Sequence, residues 1–141
     1  MSQENLERIV RHGWDAFNRG DYEACLADIH PSIEWWPASD ELIIEPYRGH
    51  DGYAKLFAET FEGVPDIQAE IEELFAVGDQ IVTCLRFWGR GRESGAPVEV
   101  RETHVVRLRD GKIVEVHEYR TRAEALKAAG LSEQDAHADS F

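Results

Sequence analysis

A histidine and several carboxylates at alternating positions could carry acid–base chemistry in this chain. Between Val98 and Leu108, one face of an extended segment would hold Val98, Val100, Glu102, His104, Val106 and Leu108. The other face would hold Glu99, Arg101, Thr103, Val105 and Arg107. The first set is mostly apolar and belongs against a core, which takes Glu102 and His104 inward with it. Past Asp110-Gly111 the pattern recurs, with Val114, Val116, Glu118 and Arg120 on one face. Valines mixed with carboxylates, an imidazole and a guanidinium read as the wall of a polar-lined pocket rather than a plain core. Glu34, on an earlier extended segment, is expected to join them. Like charges and burial raise a carboxyl pKa, which is how such a group becomes a usable acid or base near neutral pH. The expected roles are proton transfer shared by His104 and Glu118, with Arg120 orienting or neutralising a carboxylate. Glu34 would position substrate or water.

The same residues have plainer uses. Glu102 and a Glu118–Arg120 pair would serve as ion pairs in a polar core, and a lone inward histidine is commonly just hydrogen-bonded. A three-ligand metal site from Glu34, Glu102, His104 and Glu118 is conceivable on neighbouring strands. Only one histidine faces in, however, and no Cys-x-x-Cys or His-x-x-x-His spacing occurs, so no metal is expected. No glycine-rich phosphate loop precedes a helix, and no cofactor is expected. Trp14, Trp36, Phe57, Phe61, Leu85, Phe87 and Val100 are expected to supply the aromatic and apolar walls, with Glu102 among the ligand contacts. A pocket of that make-up suits a small hydrophobic organic ligand.

Composition sets the bounds. The 141 residues suffice for one core-bearing domain, expected over 1–131, with a polar tail over 132–141. A formal net charge of −13 argues against nucleic acid and against an anionic membrane surface. No apolar run approaches the roughly 20 residues that span a bilayer, and the N-terminus lacks the apolar region of a secretory signal. Cys25 and Cys84 fall in separate elements and are expected as reduced thiols in a cytoplasmic protein.

The elements that must position these groups follow from periodicity. Leu6, Ile9, Val10, Trp14 and Phe17 form a one-faced helical stripe over 3–19, stopped by Gly20. Asp21 can cap a second helix running through Tyr22, Cys25, Leu26 and Ile29 to Pro31. Residues 32–36 are strand-like. The stretch 37–47 is irregular, with a weak strand at 42–44. A third helix starts near His50-Asp51, presents Tyr53, Leu56, Phe57 and Phe61, and ends at Gly63. Strands follow at 67–75, 81–91, 98–108 and 112–120, the last two joined by Asp110-Gly111, a tight-turn pair. A final helix spans 122–129. Helices first and a long antiparallel meander last predict an α+β fold. A curved mixed sheet, mostly antiparallel, would wrap the N-terminal helices as a cone with an internal pocket.

The order of Asn18-Arg19-Gly20-Asp21 between two helices, a strand after His30-Pro31, Tyr47-Arg48-Gly49-His50-Asp51-Gly52 opening the third helix, and Asp110-Gly111-Lys112-Ile113-Val114 resembles the nuclear transport factor 2-like superfamily. Within it the chain is most similar to the SnoaL-like, ketosteroid-isomerase-related group, over roughly residues 3–130. That resemblance implies the cone fold and leaves activity open, since the superfamily holds isomerases, polyketide cyclases, dehydratases, epoxide hydrolases and non-enzymes. Carried over by position, the isomerase's tyrosine falls on Gly13, its base on Trp36 and its neutral acid on His104. In the limonene-type epoxide hydrolase the first aspartate and the arginine fall near Phe87 and Leu85, and the second aspartate on Glu118. Its tyrosine and asparagine fall on Glu34 and Trp36. A one-residue slip in the 81–91 strand would bring Arg86 inward in place of Leu85. Neither set survives intact.

Two function classes remain. One is a cofactor-free acid–base enzyme of isomerase, cyclase, dehydratase (lyase) or hydrolase type on a small hydrophobic substrate. The other is a non-catalytic ligand-binding or dimeric assembly module. A homodimer is expected in either case, through an outer sheet face carrying Val105, Ile113, His117 and Tyr119.

Overall fold

The computed structural model describes residues 2–42 and 44–131. Helix α1 (Gln3–Asn18) starts where Ser2 accepts a hydrogen bond from the Asn5 amide. It ends at Gly20, whose φ of +67° only glycine adopts freely. The Gly20 and Asp21 amides then donate back to Phe17 and Ala16 at 2.9 and 3.0 Å. That is the closure of a Schellman cap. Asp21 in turn caps α2 (Tyr22–Ala27) by accepting from Ala24. The Asn18-Arg19-Gly20-Asp21 run is therefore a stop signal and a start signal placed side by side.

The remaining elements are β1 (Ile29–Trp36), β2 (Tyr47–Arg48), α3 (Gly49–Gly63), β3 (Gln68–Val77), β4 (Gln80–Arg90), β5 (Pro97–Arg109), β6 (Lys112–Tyr119) and α4 (Arg122–Ala128). The six strands form one sheet in the order β2-β1-β6-β5-β4-β3. Every neighbouring pair is antiparallel except β1 with β6, which is parallel. Asp110 and Gly111, at φ +55° and +75°, make the tight turn between β5 and β6. Bulges in the β1–β6, β3–β4 and β5–β6 ladders bend the sheet. The curved, unclosed sheet wraps α1 and α3 as the expected α+β cone.

Three expectations about the elements change. Helix α2 stops at Ala27, and β1 already begins at Ile29, because Ile29 pairs with Ile113 and supplies core surface. Leu42 and Ile44 lie outside any strand, while Ile43 lies outside the described residues; the second strand is instead Tyr47–Arg48. In β6 the bulge sets Leu108 opposite Ile113 and Arg107 opposite Glu115. Simple alternation therefore breaks at Val114, and Ile113 turns inward, away from the outer face expected for it. The tail over 132–141 lies outside the described residues.

The core joins α1, α2 and α3 to the concave face through Val10, Phe17, Tyr53, Ile33, Ile81, Val106 and Val116. A second cluster on the convex face sets Leu126 of α4 against Phe75 and Val82. Asn18 ties α1 to the edge strand: its side chain donates to the Ala69 carbonyl at 2.8 Å and accepts from the Ala69 amide at 2.7 Å. An otherwise open stretch of β3 edge is thereby satisfied. No helix among the described residues is long and apolar enough to cross a membrane.

Candidate active site

The concave face and the helices enclose a cavity of about 340 Å³. Its position follows from cross-strand register. Thr83, His104 and Glu118 stand side by side across β4, β5 and β6. Glu102 lies two residues from His104 on the same face, with Leu85 opposite it. Val106, Val116 and Trp35 make the next row. Above them, Trp14 from α1 and Phe57 from α3 close the space, while Phe87 and the rim residue Val100 wall the far side.

His104 is 1% exposed, and its Nε2 lies 3.0 Å from Oε1 of Glu102. A carboxylate accepts, so Nε2 carries the hydrogen and Nδ1 is the imidazole's second site. Trp14, Trp35 and Phe87 surround the imidazole with ring centroids 5.7, 5.8 and 6.2 Å away. Glu118 is held by neutral donors. The Trp35 indole donates to Oε2 at 2.6 Å, and the Ala38 amide donates to Oε1 at 3.2 Å. One ligating atom each from Glu102, His104 and Glu118 falls within 4.8 Å of the others. That spacing would let the three meet one substrate atom or one cation, although the Trp35 and Ala38 bonds already occupy a lone pair on each Glu118 oxygen.

Strand β1 faces the opposite way from the expected one. Ile33 and Trp35 are buried, and Trp35 lines the cavity; Glu34 and Trp36 point outward. Glu34 pairs with Arg48, its β2 neighbour, at 3.3 Å. Trp36 stacks on His117 with centroids 5.7 Å apart and planes 4° from parallel. The reason is burial: Ile33 with Trp35 removes more apolar surface than Glu34 with Trp36, and a strand can offer only one of the two pairs. Arg120 also lies outside the cavity, where it pairs with Asp40. The assignments of Glu34, Arg120 and Trp36 to the pocket are thus corrected. Leu85 is inward and 1% exposed but sits beneath the cavity rather than in its wall, and Phe61 packs behind Phe57 and Phe17. Arg86 is turned to Glu70 and the Trp88 ring.

Sequence reasoning missed Trp35, Tyr53, Cys25, Asp28 and Trp88 as cavity-lining residues. The Ile33/Trp35 alternation was the available signal for the first. Tyr53 is hydrogen-bonded to Cys25, and burial pushes the Tyr53 phenol far above its usual range and the Cys25 thiol upward as well. Both groups hold their protons to higher pH in the fold than in the unfolded chain, which loses them near the ordinary values of about 8.5 for the thiol and about 10 for the phenol. The unfolded state then binds fewer protons, so stability falls as pH rises above about 9. In urea titrations, Tyr53→Phe should flatten this decline above about pH 10, and an unchanged slope would place the alkaline sensitivity elsewhere.

Next to His104, the Thr83 hydroxyl is fully buried and has no hydrogen-bond partner among the described residues. Thr83→Val removes that unmet group at nearly constant shape and should stabilise the protein by about 1 kcal/mol. Chemical denaturation measures this; a loss of similar size would show that a bound water satisfies the hydroxyl.

The profile of the SnoaL-like domain matches residues 10–116. Among curated proteins nothing matches the chain. Among solved structures, an NTF2-like protein of unknown function from Burkholderia pseudomallei K96243 is 22% identical, with a TM-score of 0.73 over 90% of this chain and 97% of that one. A putative SnoaL-like polyketide cyclase from Jannaschia sp. CCS1 is 20% identical, with a TM-score of 0.73 over 90% and 92%. TerC, co-crystallised with polyporic acid, is 18% identical, with a TM-score of 0.71 over 87% and 96%. At these identities the structures show a shared fold, and the matched profile covers well over half of the chain: it belongs to the SnoaL-like domain family, within the NTF2-like superfamily.

Proposed function

We propose that the protein is a cofactor-free acid–base enzyme acting on a small, largely hydrophobic molecule held in the cone. The observation that carries this reading is the placement of Glu102, His104 and Glu118 within reach of one point in an otherwise apolar, aromatic-walled cavity. Glu118, its plane held by Trp35 and Ala38, takes a proton from substrate. His104, oriented by Glu102 and protonated on Nδ1 when it acts, delivers that proton to a second substrate atom, so that the substrate gains one proton for the one it loses. Isomerisation, cyclisation, dehydration and hydrolysis all need that pair of steps. The solved relatives described as a polyketide cyclase and as bound to polyporic acid are consistent with an organic ligand of this kind.

The test is NMR titration with a panel of small hydrophobic carbonyl compounds, alcohols and amines, followed by turnover assays on those that bind. Shifts confined to Trp14, Trp35, His104 and Glu118 support the reading. A panel that leaves these residues unmoved refutes it.

A non-catalytic binding or assembly role is the second reading. It is favoured by the fact that Glu102 pairs with His104 and that Glu118 already accepts from two donors. Either role suits a homodimer formed through the convex face, where Trp36, His117 and Tyr119 stack in a row. The free thiols of Cys25 and Cys84 suit a reducing, cytoplasmic setting.

A further inference from the structure

We infer that the cavity takes a positively charged organic molecule, a hydrophobic amine bound as its ammonium ion. This rests on the reading of the cone as the ligand site and adds the ligand's charge. The charge inventory of the wall points that way. Its ionisable side chains include the carboxyl groups of Asp28, Glu102 and Glu118 and the imidazole of His104, and among the described residues no lysine or arginine lines it.

The nearby cations are committed elsewhere. Arg48 pairs with Glu34, Arg120 with Asp40, Arg101 with Glu72 and Arg86 with Glu70. His12 pairs with Asp28 from outside the cavity wall, and His104 pairs with Glu102. Glu118 is left with neutral N–H donors only, from Trp35 and Ala38. A carboxylate in apolar surroundings without a counter-charge is costly, and a cationic ligand would supply the missing partner.

The rings around that point offer the second half of the recognition. Trp14, Trp35 and Phe87 converge on His104, directly beside Glu118 in the β5–β6 ladder. Indole and phenyl faces attract an alkylammonium ion, and tryptophan does so best. An anionic ligand would meet three carboxyl groups and no fixed cation. The formal charge of −13 over the whole chain also raises the local concentration of cations at the entrance. A bare divalent ion at Glu102, His104 and Glu118 is the competing occupant. It is disfavoured by the apolar wall, which offers few further oxygen ligands, and by the donors already on both Glu118 oxygens.

The test compares three molecules of one shape: naphthylmethylammonium, naphthylmethanol and naphthoate, followed by tryptophan fluorescence near neutral pH and located by NMR. The ammonium should bind roughly tenfold tighter than the alcohol, and the carboxylate weakest. Added salt should weaken the ammonium complex and leave the alcohol complex unchanged, a readout that needs only the wild-type protein. Glu118→Gln should erase most of the ammonium's advantage while leaving the alcohol's affinity in place.

Equal binding of ammonium and alcohol, or tighter binding of naphthoate, overturns the charge assignment and leaves the cavity reading intact. Failure of all three to bind overturns both. Manganous ion that binds at His104 and displaces the ammonium overturns the organic ligand in favour of an inorganic cation.

Discussion

Glu118→Gln is expected to lower the turnover of any substrate the cavity accepts by about 10²–10⁴-fold, the range contributed by a positioned general acid or base. The change is close to isosteric. The amide oxygen can still accept from the Trp35 indole N–H, whose nitrogen is 2.6 Å from Oε2. What glutamine cannot do is take a proton. The loss should therefore fall on kcat, with KM little altered for a neutral substrate, and the folded fraction should match wild type by circular dichroism. With the amide oxygen on Trp35, the NH₂ group faces the Ala38 N–H, and the loss of that one hydrogen bond should cost about 1 kcal/mol. Unaltered turnover would remove Glu118 from the chemistry and leave the His104–Glu102 pair as the sole acid–base unit.

Leu85→Ala is expected to act in the opposite way: a large loss of stability with no loss of ligand affinity. Leu85 is 1% exposed, opposite Ile71 and Glu102, and lies beneath the cavity rather than in its wall. Truncation leaves a void in close-packed surroundings and should cost about 3 kcal/mol. For a domain of this size that lowers Tm by on the order of 10 °C. Thermal unfolding and ligand titration on the same variant separate the two effects. A weakened ligand with an unchanged Tm would return Leu85 to the cavity wall.

Much of the site was legible because strand β5 is regular where it matters. The valine-rich face of β5 carries Glu102 and His104 inward by period-two geometry, the positive φ angles available to Asp110-Gly111 start the β5–β6 pairing, and the bulge that skips Val114 shifts it by one residue and brings Glu118 rather than His117 beside His104. The helix stop at Gly20, the cap at Asp21 and the order of elements are local too, each depending on a few neighbouring residues.

The errors sit where local rules leave a choice. Trp35 and Trp36 are adjacent, so one of them must face out, and the expectation that Glu34 and Trp36 face the pocket selected the wrong one. The competition was decided by Ile33, whose burial against the helices brings Trp35 in and sends Glu34 to Arg48. Arg120 shares its sequence parity with Glu118, yet the chain leaves the sheet after Tyr119 and its guanidinium meets Asp40.

The sequence by itself determined most of the elements, the turn that pairs β5 with β6, and the inward face of β5 that carries Glu102 and His104, because these rest on backbone periodicity and on residues close in the chain, whereas the bulge at Val114 is what seats Glu118 beside His104. Only the tertiary structure decided which face of β1 is buried, that neutral donors rather than an arginine hold Glu118, and that Trp14, Trp35 and Phe87 enclose His104. Those outcomes depend on the bulges that bend the sheet and on helices meeting it from far along the chain, where the largest apolar burial prevails over local alternation.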